Sequence, residues 1–316
     1  MSTITTVNGK RVKTSWWTRL IRHFSSKYQL YLMLLPAVVL LICFYYVPMY
    51  GLQLAFRKYT PQMWLTCGDF VGAKYIKKFI QSYQFWTLIK NTLSISITSL
   101  LLCFPFPIVL ALVINQIRRP GAKQFVQTVA YIPHFISTVV VCGLIQQFCA
   151  SDGLINNIVE LFGGTRSALL ARQELFVPIY VISGIWKQIG WNSIIYIAAI
   201  SGIDPQLYEA ATIDGAGKLR QAWHITLTGI LPTITVLFIL RMGSIMNIGH
   251  EKILLLQNSL NMQTSDVIST YVYRRGLEEG SFSFSTAVGL FNSVINTALV
   301  VFTNAVSKRL SETSLW

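Results

Sequence analysis

Two cations sit where charge is expensive. Lys187 lies near the middle of the apolar run 176 to 201, and Arg241 near the middle of the run 224 to 248. An ionisable group at the depth of a bilayer costs roughly 3 kcal/mol or more unless it faces a cavity or a partner. Tyr180, Ser183 and Trp191 recur on the face of Lys187 at helical steps, and Ser244 and Asn247 follow Arg241. Such a set can line a passage in which positive charge holds an anionic solute. Equally, each cation can pair within a bundle or snorkel toward an interface. Asn292 and Asn296, one turn apart in a later apolar run, read as interhelical hydrogen-bonding residues.

Residues that do covalent chemistry are scarce. The stretch Gly215-Ala216-Gly217-Lys218-Leu219 lacks the first glycine and the final Ser or Thr of a phosphate-binding loop, so ATP binding by this chain is not expected. His23, His134, His224 and His250 stand alone, without metal-ligand spacing. Carboxylates are few, and the one cluster, Glu278 and Glu279, falls in a polar stretch. No catalytic residue, metal or cofactor is assigned. Cys43, Cys103, Cys142 and Cys149 lie in apolar runs and read as small hydrophobes, and a Cys67–Cys149 disulfide has no positive support.

The elements that must position these residues are membrane helices. Hydrophobic residues make up 53% of the chain and charged ones 12%, about half the soluble average. Six apolar runs are long enough to cross the hydrocarbon core: 28 to 50, 88 to 115, 124 to 149, 176 to 201, 224 to 248 and 283 to 306. The expected architecture is therefore an all-α polytopic membrane protein with six transmembrane helices. A net charge of +14 is not arranged as a nucleic-acid groove. Residues 1 to 27 carry Lys10, Arg11, Lys13, Arg19, Arg22 and Lys27 and no acid, as a cytoplasmic flank does. Within them Trp16, Trp17, Leu20, Ile21 and Phe24 are spaced for an interfacial helix on membrane lipid. Six spans then put both termini, including the tail 311 to 316, in the cytoplasm. Thirteen Lys and Arg fall inside and eleven outside, so the N-terminal flank and Arg118-Arg119 decide the orientation.

One inner segment, residues 204 to 232, is polar and rich in small residues. Asp204 is an N-cap and Pro205 suits the first helical position. Leu207, Tyr208 and Ala211 make a narrow apolar strip, and Gly215 with Gly217 supplies the left-handed backbone of a helix stop. The pattern predicts a helix, a turn and a second helix. The order Glu209, Ala210, Ala211, Gly215, Ile225 and Leu227 closely resembles the EAA signature of ABC importer permeases. Thr228 stands where that family has proline, and Leu231-Pro232 follows.

The resemblance implies a type I ABC importer permease fold over residues 28 to 310, in a bacterial cytoplasmic (inner) membrane. It makes residues 204 to 217 a coupling helix for an ATPase, with Glu209, Ala210, Ala211, Asp214 and Gly215 as its coupling residues. Implied partners are a second homologous permease, an ABC ATPase dimer that binds ATP and Mg at the cytoplasmic face, and an extracytoplasmic solute-binding protein. Val71-Gly72-Ala73-Lys74-Tyr75 resembles an outer-loop patch of sugar-importer permeases, and residues 250 to 282 form a second long outer loop. The end of the chain is similar to the branch handling complex oligosaccharides and polysaccharides, alginate importers included. On that footing Tyr180, Lys187, Trp191, Arg241 and Asn247 are candidates for the substrate path. Lys187 and Arg241 suit an acidic sugar, and Tyr180, Trp186 or Trp191 can stack on pyranose rings. Permeases for peptides and secondary transporters or channels without an ATPase are the alternatives.

Overall fold

The computed structural model describes residues 5 to 7, 10 to 12, 27 to 60, 62 and 68 to 310. The interfacial helix expected at 16 to 24, Cys67 and the tail 311 to 316 lie outside the described residues. The chain divides into two units, Met1–Gln53 and Leu54–Trp316.

In the first unit, strands β1 (Thr5–Val7) and β2 (Lys10–Val12) pair antiparallel, Thr5 opposite Val12. This hairpin is a departure from the all-α expectation, in a segment whose alternation is too short to announce a strand. Helix α1 (Tyr28–Leu41) continues through a π-helical turn, Ile42–Tyr46. Leu32, Met33 and Phe44 are exposed along it, as suits a surrounding that is not water.

The second unit is helical. Its elements are α2 (Lys74–Ile80), α3 (Phe85–Cys103), α4 (Pro105–Asn115), α5 (Pro120–Phe135), α6 (Thr138–Cys149) and α7 (Leu154–Leu161). Then come α8 (Gln173–Ser201), α9 (Pro205–Ile213), α10 (Lys218–Gln221), α11 (Leu231–Met242) and α12 (His250–Leu256). The last three are α13 (Met262–Ser265), α14 (Ile268–Tyr273) and α15 (Phe282–Leu310).

Helix α8 is the hub. It packs on α3, α4 and α5 and reaches α13 and α11. Where it meets α5, Gly190 allows backbone contact that no side chain would permit. Around it the core forms three clusters. The first is aromatic, with Phe79 of α2 making edge contacts to Phe85, Phe284 and Phe291. The second joins Ile95, Phe176, Ile253 and Leu256, and the third joins Ile108, Tyr196, Ile200 and Ile230.

Among the described residues, four helical stretches are long and apolar enough to cross a membrane: Tyr28–Phe56, Phe85–Asn115, Thr138–Leu161 and Phe282–Arg309. Lys218–Gly229 with Leu231–Met242, bent by 59°, makes a fifth if the pair is one span. Helix α8 has the length, 29 residues, but Lys187, Gln188, Asn192 and Ser193 make it less apolar than these stretches. The run 124 to 149 is not one helix. It breaks at Ile136 and Ser137, where Ile136 is extended and the Ser137 hydroxyl accepts from the Val140 N–H at 3.3 Å to start α6. Hydropathy cannot see that break, because the residues on both sides are apolar.

The stretch 250 to 282 is not an open loop either. Ile253, Leu256, Val267 and Ile268 are buried. Asn91 of α3 donates to the carbonyls of Gln263 and Asp266 at 2.8 and 2.9 Å. Asn261 donates to Leu170 O at 2.9 Å, and Asp266 Oδ1 accepts from Thr270 and Arg274 at 2.7 and 2.6 Å. The bonds to Asn91 and Leu170, far away in sequence, fold the segment back as a wall, and those to Asp266 brace it internally.

Candidate functional site

The segment 204 to 232 has the expected helix, turn and second helix. Asp204 Oδ1 accepts from the Gln206 N–H at 2.9 Å, Pro205 opens α9, and Gly215 turns the chain at φ 75°. Gly217 differs from expectation. Its φ of −67° makes it the N-cap of α10, so one left-handed glycine is enough to end α9. The segment is braced from behind. The Tyr208 hydroxyl lies 3.0 Å from Thr226 Oγ1, and Gln221 donates to Thr212 Oγ1 at 2.9 Å and Ala216 O at 3.0 Å.

Glu209, Ala210, Asp214 and Gly215 are exposed, and Ala211 is half-buried. Leu207 and Ile213 are also exposed, so the expected apolar strip is only partly covered by the chain itself. Thr228 donates to the carbonyls of His224 and Ile225, keeping helical geometry where the resembling family has proline. The bend comes at Ile230, and Pro232 sits in the first turn of α11.

All five residues expected along a substrate path, Tyr180, Lys187, Trp191, Arg241 and Asn247, line one cavity of about 720 Å³. Four come from one face of α8 and from α11, and Asn247 from the turn after α11. From Tyr180 to Trp191 the face runs about 16 Å at 1.5 Å per residue. Lys187 Nζ donates to Thr138 Oγ1 at 3.0 Å, at the head of α6 where the 124 to 149 run breaks. Asn247 Oδ1 accepts from Asn292 at 2.8 Å and Asn296 at 3.0 Å, so both do hydrogen-bond across elements, from α15 to the turn after α11 rather than to a second helix.

Aromatic placement differs from the stacking expectation in detail. Trp191 has one face covered by His134, stacked at 4.2 Å and 3°. Tyr180 carries the Lys252 ammonium 4.2 Å from its ring centroid, with Phe176 beside it. Trp186 is not among the lining residues. Lys252, His134, Gln188 and Glu251 join the lining without having been singled out in the sequence. Lys252 falls in the expected outer loop 250 to 282, and only the folding back of α12 brings it in.

The cavity is electropositive. Lys187, Arg241 and Lys252 face it with Glu251 as the lone carboxylate. None of these four takes part in an ion pair among the described residues, whose pairs are Arg166–Glu160, Arg274–Asp266 and Arg275–Glu279. Low-dielectric walls with unpaired cations concentrate anions.

Comparison with known proteins agrees with this architecture. A family model described as "Binding-protein-dependent transport system inner membrane component" matches residues 103–312. The polygalacturonan/rhamnogalacturonan transport system permease protein YteP of Bacillus subtilis (strain 168) is 43% identical, over 94% of this chain and 92% of its own. Protein LplB of the same organism is 40% identical over 91% of each. Among solved structures, a chain of a bacterial alginate ABC transporter, crystallised in complex with an alginate pentasaccharide-bound periplasmic protein, is 43% identical. It aligns with a TM-score of 0.86 over 94% of this chain and all of that one. The chain therefore belongs to the family of binding-protein-dependent transport system inner membrane components, as a membrane permease subunit.

Proposed function

We propose that this chain is one half of the pore of an ATP-driven, binding-protein-dependent importer of oligo- or polysaccharides that carry acidic sugars. The observation that carries this reading is the cavity beside α8, where three cations face one carboxylate. Relatives lend it support: one is named for polygalacturonan and rhamnogalacturonan, and a solved neighbour is described as importing the acidic polysaccharide alginate.

The chain crosses the inner membrane six times in this proposal, with both termini cytoplasmic. The four apolar stretches and the bent pair account for five crossings, the third assisted by α5, and α8 is the sixth. Lys187, Gln188 and Asn192 are tolerated because they line the cavity, and Ser193 because it is buried with its hydroxyl bonded to Gly190 O. A second homologous permease completes the pore. An ATPase dimer binds ATP and Mg at the cytoplasmic face, and this chain neither binds nor hydrolyses nucleotide. A solute-binding protein delivers cargo from outside, against the surface that includes α2.

Nucleotide binding closes the ATPases, and α9, seated on them through Glu209 and its small neighbours, moves with them. The bundle then changes which side its cavity opens to. Such a shift requires that nucleotide and solute each bind the two states with different affinity. The test is uptake of oligogalacturonate by proteoliposomes holding this chain, the partner permease, the ATPase and the binding protein. Expected is ATP-dependent, vanadate-sensitive uptake that needs the binding protein. Uptake without ATP would mean a secondary transporter or channel, and ATP-driven uptake of peptides alone would overturn the sugar assignment.

A further inference from the structure

We infer that Lys252, outside every helix long enough to span the membrane, is a specificity-determining residue that reads the carboxylates of the solute from a fixed wall of the cavity. This rests on the proposed acidic cargo and adds to it a residue, a position and a reason for rigidity.

Lys252 Nζ donates to the Tyr180 carbonyl at 2.7 Å and stands 4.2 Å from the Tyr180 ring centroid. A flexible four-carbon stem is thereby held in one place before any solute arrives, which removes much of the ordering cost of binding. The ammonium has three N–H donors and the carbonyl takes one, so charge and hydrogen-bonding capacity remain. Gly184 keeps the approach open, since a side chain there would begin 3.6 Å from Nζ.

The wall behind Lys252 is fixed. Gln146 of α6 donates to Leu255 O at 2.6 Å, and Gln173 of α8 donates to Leu260 O at 3.1 Å. Ile253 on the next position is fully buried. Helix α12 is thus fastened to α6, and the turn that follows it to α8. Lys187 lies seven residues beyond Tyr180 on α8, about 10 Å along the axis. Two anchored ammonium groups lining one cavity can meet successive carboxylates on a chain of uronic acids, whereas one alone would hold any anion. A purely structural Lys252, tying α12 to α8, would instead affect every solute alike.

The test uses the complete transporter in proteoliposomes with saturating binding protein. The probes are oligogalacturonate and the same oligomer with its carboxylates methyl-esterified, which keeps the rings and removes the charge. Lys252→Gln is expected to slow oligogalacturonate uptake about tenfold, the loss of one charge-assisted hydrogen bond, and to leave the ester within about twofold. Lys252→Arg should keep the wild-type preference. Gly184→Asp, which sets a carboxylate beside the same ammonium without removing it, should reproduce the selective loss. Equal slowing of both probes by Lys252→Gln or Gly184→Asp overturns the inference and leaves the cargo assignment standing. Wild-type uptake of the ester but not of oligogalacturonate overturns the acidic cargo itself, and this inference with it.

Discussion

Gly190 and Ala130 meet backbone to backbone: a side-chain carbon added at Gly190 would stand 2.0 Å from the Ala130 carbonyl oxygen. That contact sets how closely α5 approaches the hub helix, and so where His134 stacks on Trp191 one residue further along α8. Gly190→Ala cannot be absorbed by a rotamer change, since the obstacle is main chain. It is expected to cost about 1–3 kcal/mol, as overpacking does. Thermal unfolding of the detergent-purified chain should drop measurably for Gly190→Ala and little for Gly184→Ala, whose added carbon meets only ordinary contacts. Equal stability of both variants would refute the close approach.

The asparagine knot between the turn after α11 and α15 makes unequal contributions. Asn296 both donates to Asn247 and accepts from the Met246 N–H at 3.1 Å, a group that is fully buried. Asn292 donates to Asn247 and, at the longer 3.4 Å, to the Met246 carbonyl, but its own Oδ1 is buried without a partner among the described residues. Asn296→Ala should therefore destabilise by about 1–3 kcal/mol, through the orphaned amide, and Asn292→Leu by less. Denaturation of the two variants, in parallel, reads the order. The reverse order would contradict this bonding pattern.

On the segment 204 to 232 the prediction is functional rather than structural. Glu209 is exposed, so Glu209→Gln should change stability by no more than about 0.5 kcal/mol. Gly215→Ala places a side chain at φ 75°, a local cost of about 1–2 kcal/mol. Both variants should reach the membrane in normal amounts yet lose solute-stimulated ATPase activity in the assembled transporter. Normal transport by both would remove the coupling role.

Lys187 and Arg241 differ in their tethers. Lys187 is bound to Thr138, and Arg241 has no ion-pair partner among the described residues. Lys187→Ala and Arg241→Ala should each slow an anionic oligosaccharide more than a neutral one, by about tenfold for one lost charge-assisted contact. Initial uptake rates of the two solutes, taken as a ratio for each variant, measure this. An unchanged ratio would mean that the cations serve the bundle alone.

Local chemistry in the sequence was enough for α9. Asp204, Pro205 and Gly215 act within one turn of their own positions, so cap, start and stop could be read without knowing the fold. That Tyr180, Lys187, Trp191, Arg241 and Asn247 share one cavity was legible for a related reason: a lysine and an arginine in apolar runs must face something polar, and helical spacing names their neighbours. What spacing could not supply was the third cation. Lys252 follows a span boundary and looks like part of a solvated loop, and only bonds such as Asn91 to Gln263 O, far apart in sequence, turn that loop into a cavity wall. The break at Ile136 and Ser137 was hidden likewise, because hydropathy averages over residues that a single hydroxyl cap divides. Periodicity and capping are short-range and written in the chain, whereas the company that Tyr180, Lys187 and Lys252 keep depends on how distant helices pack.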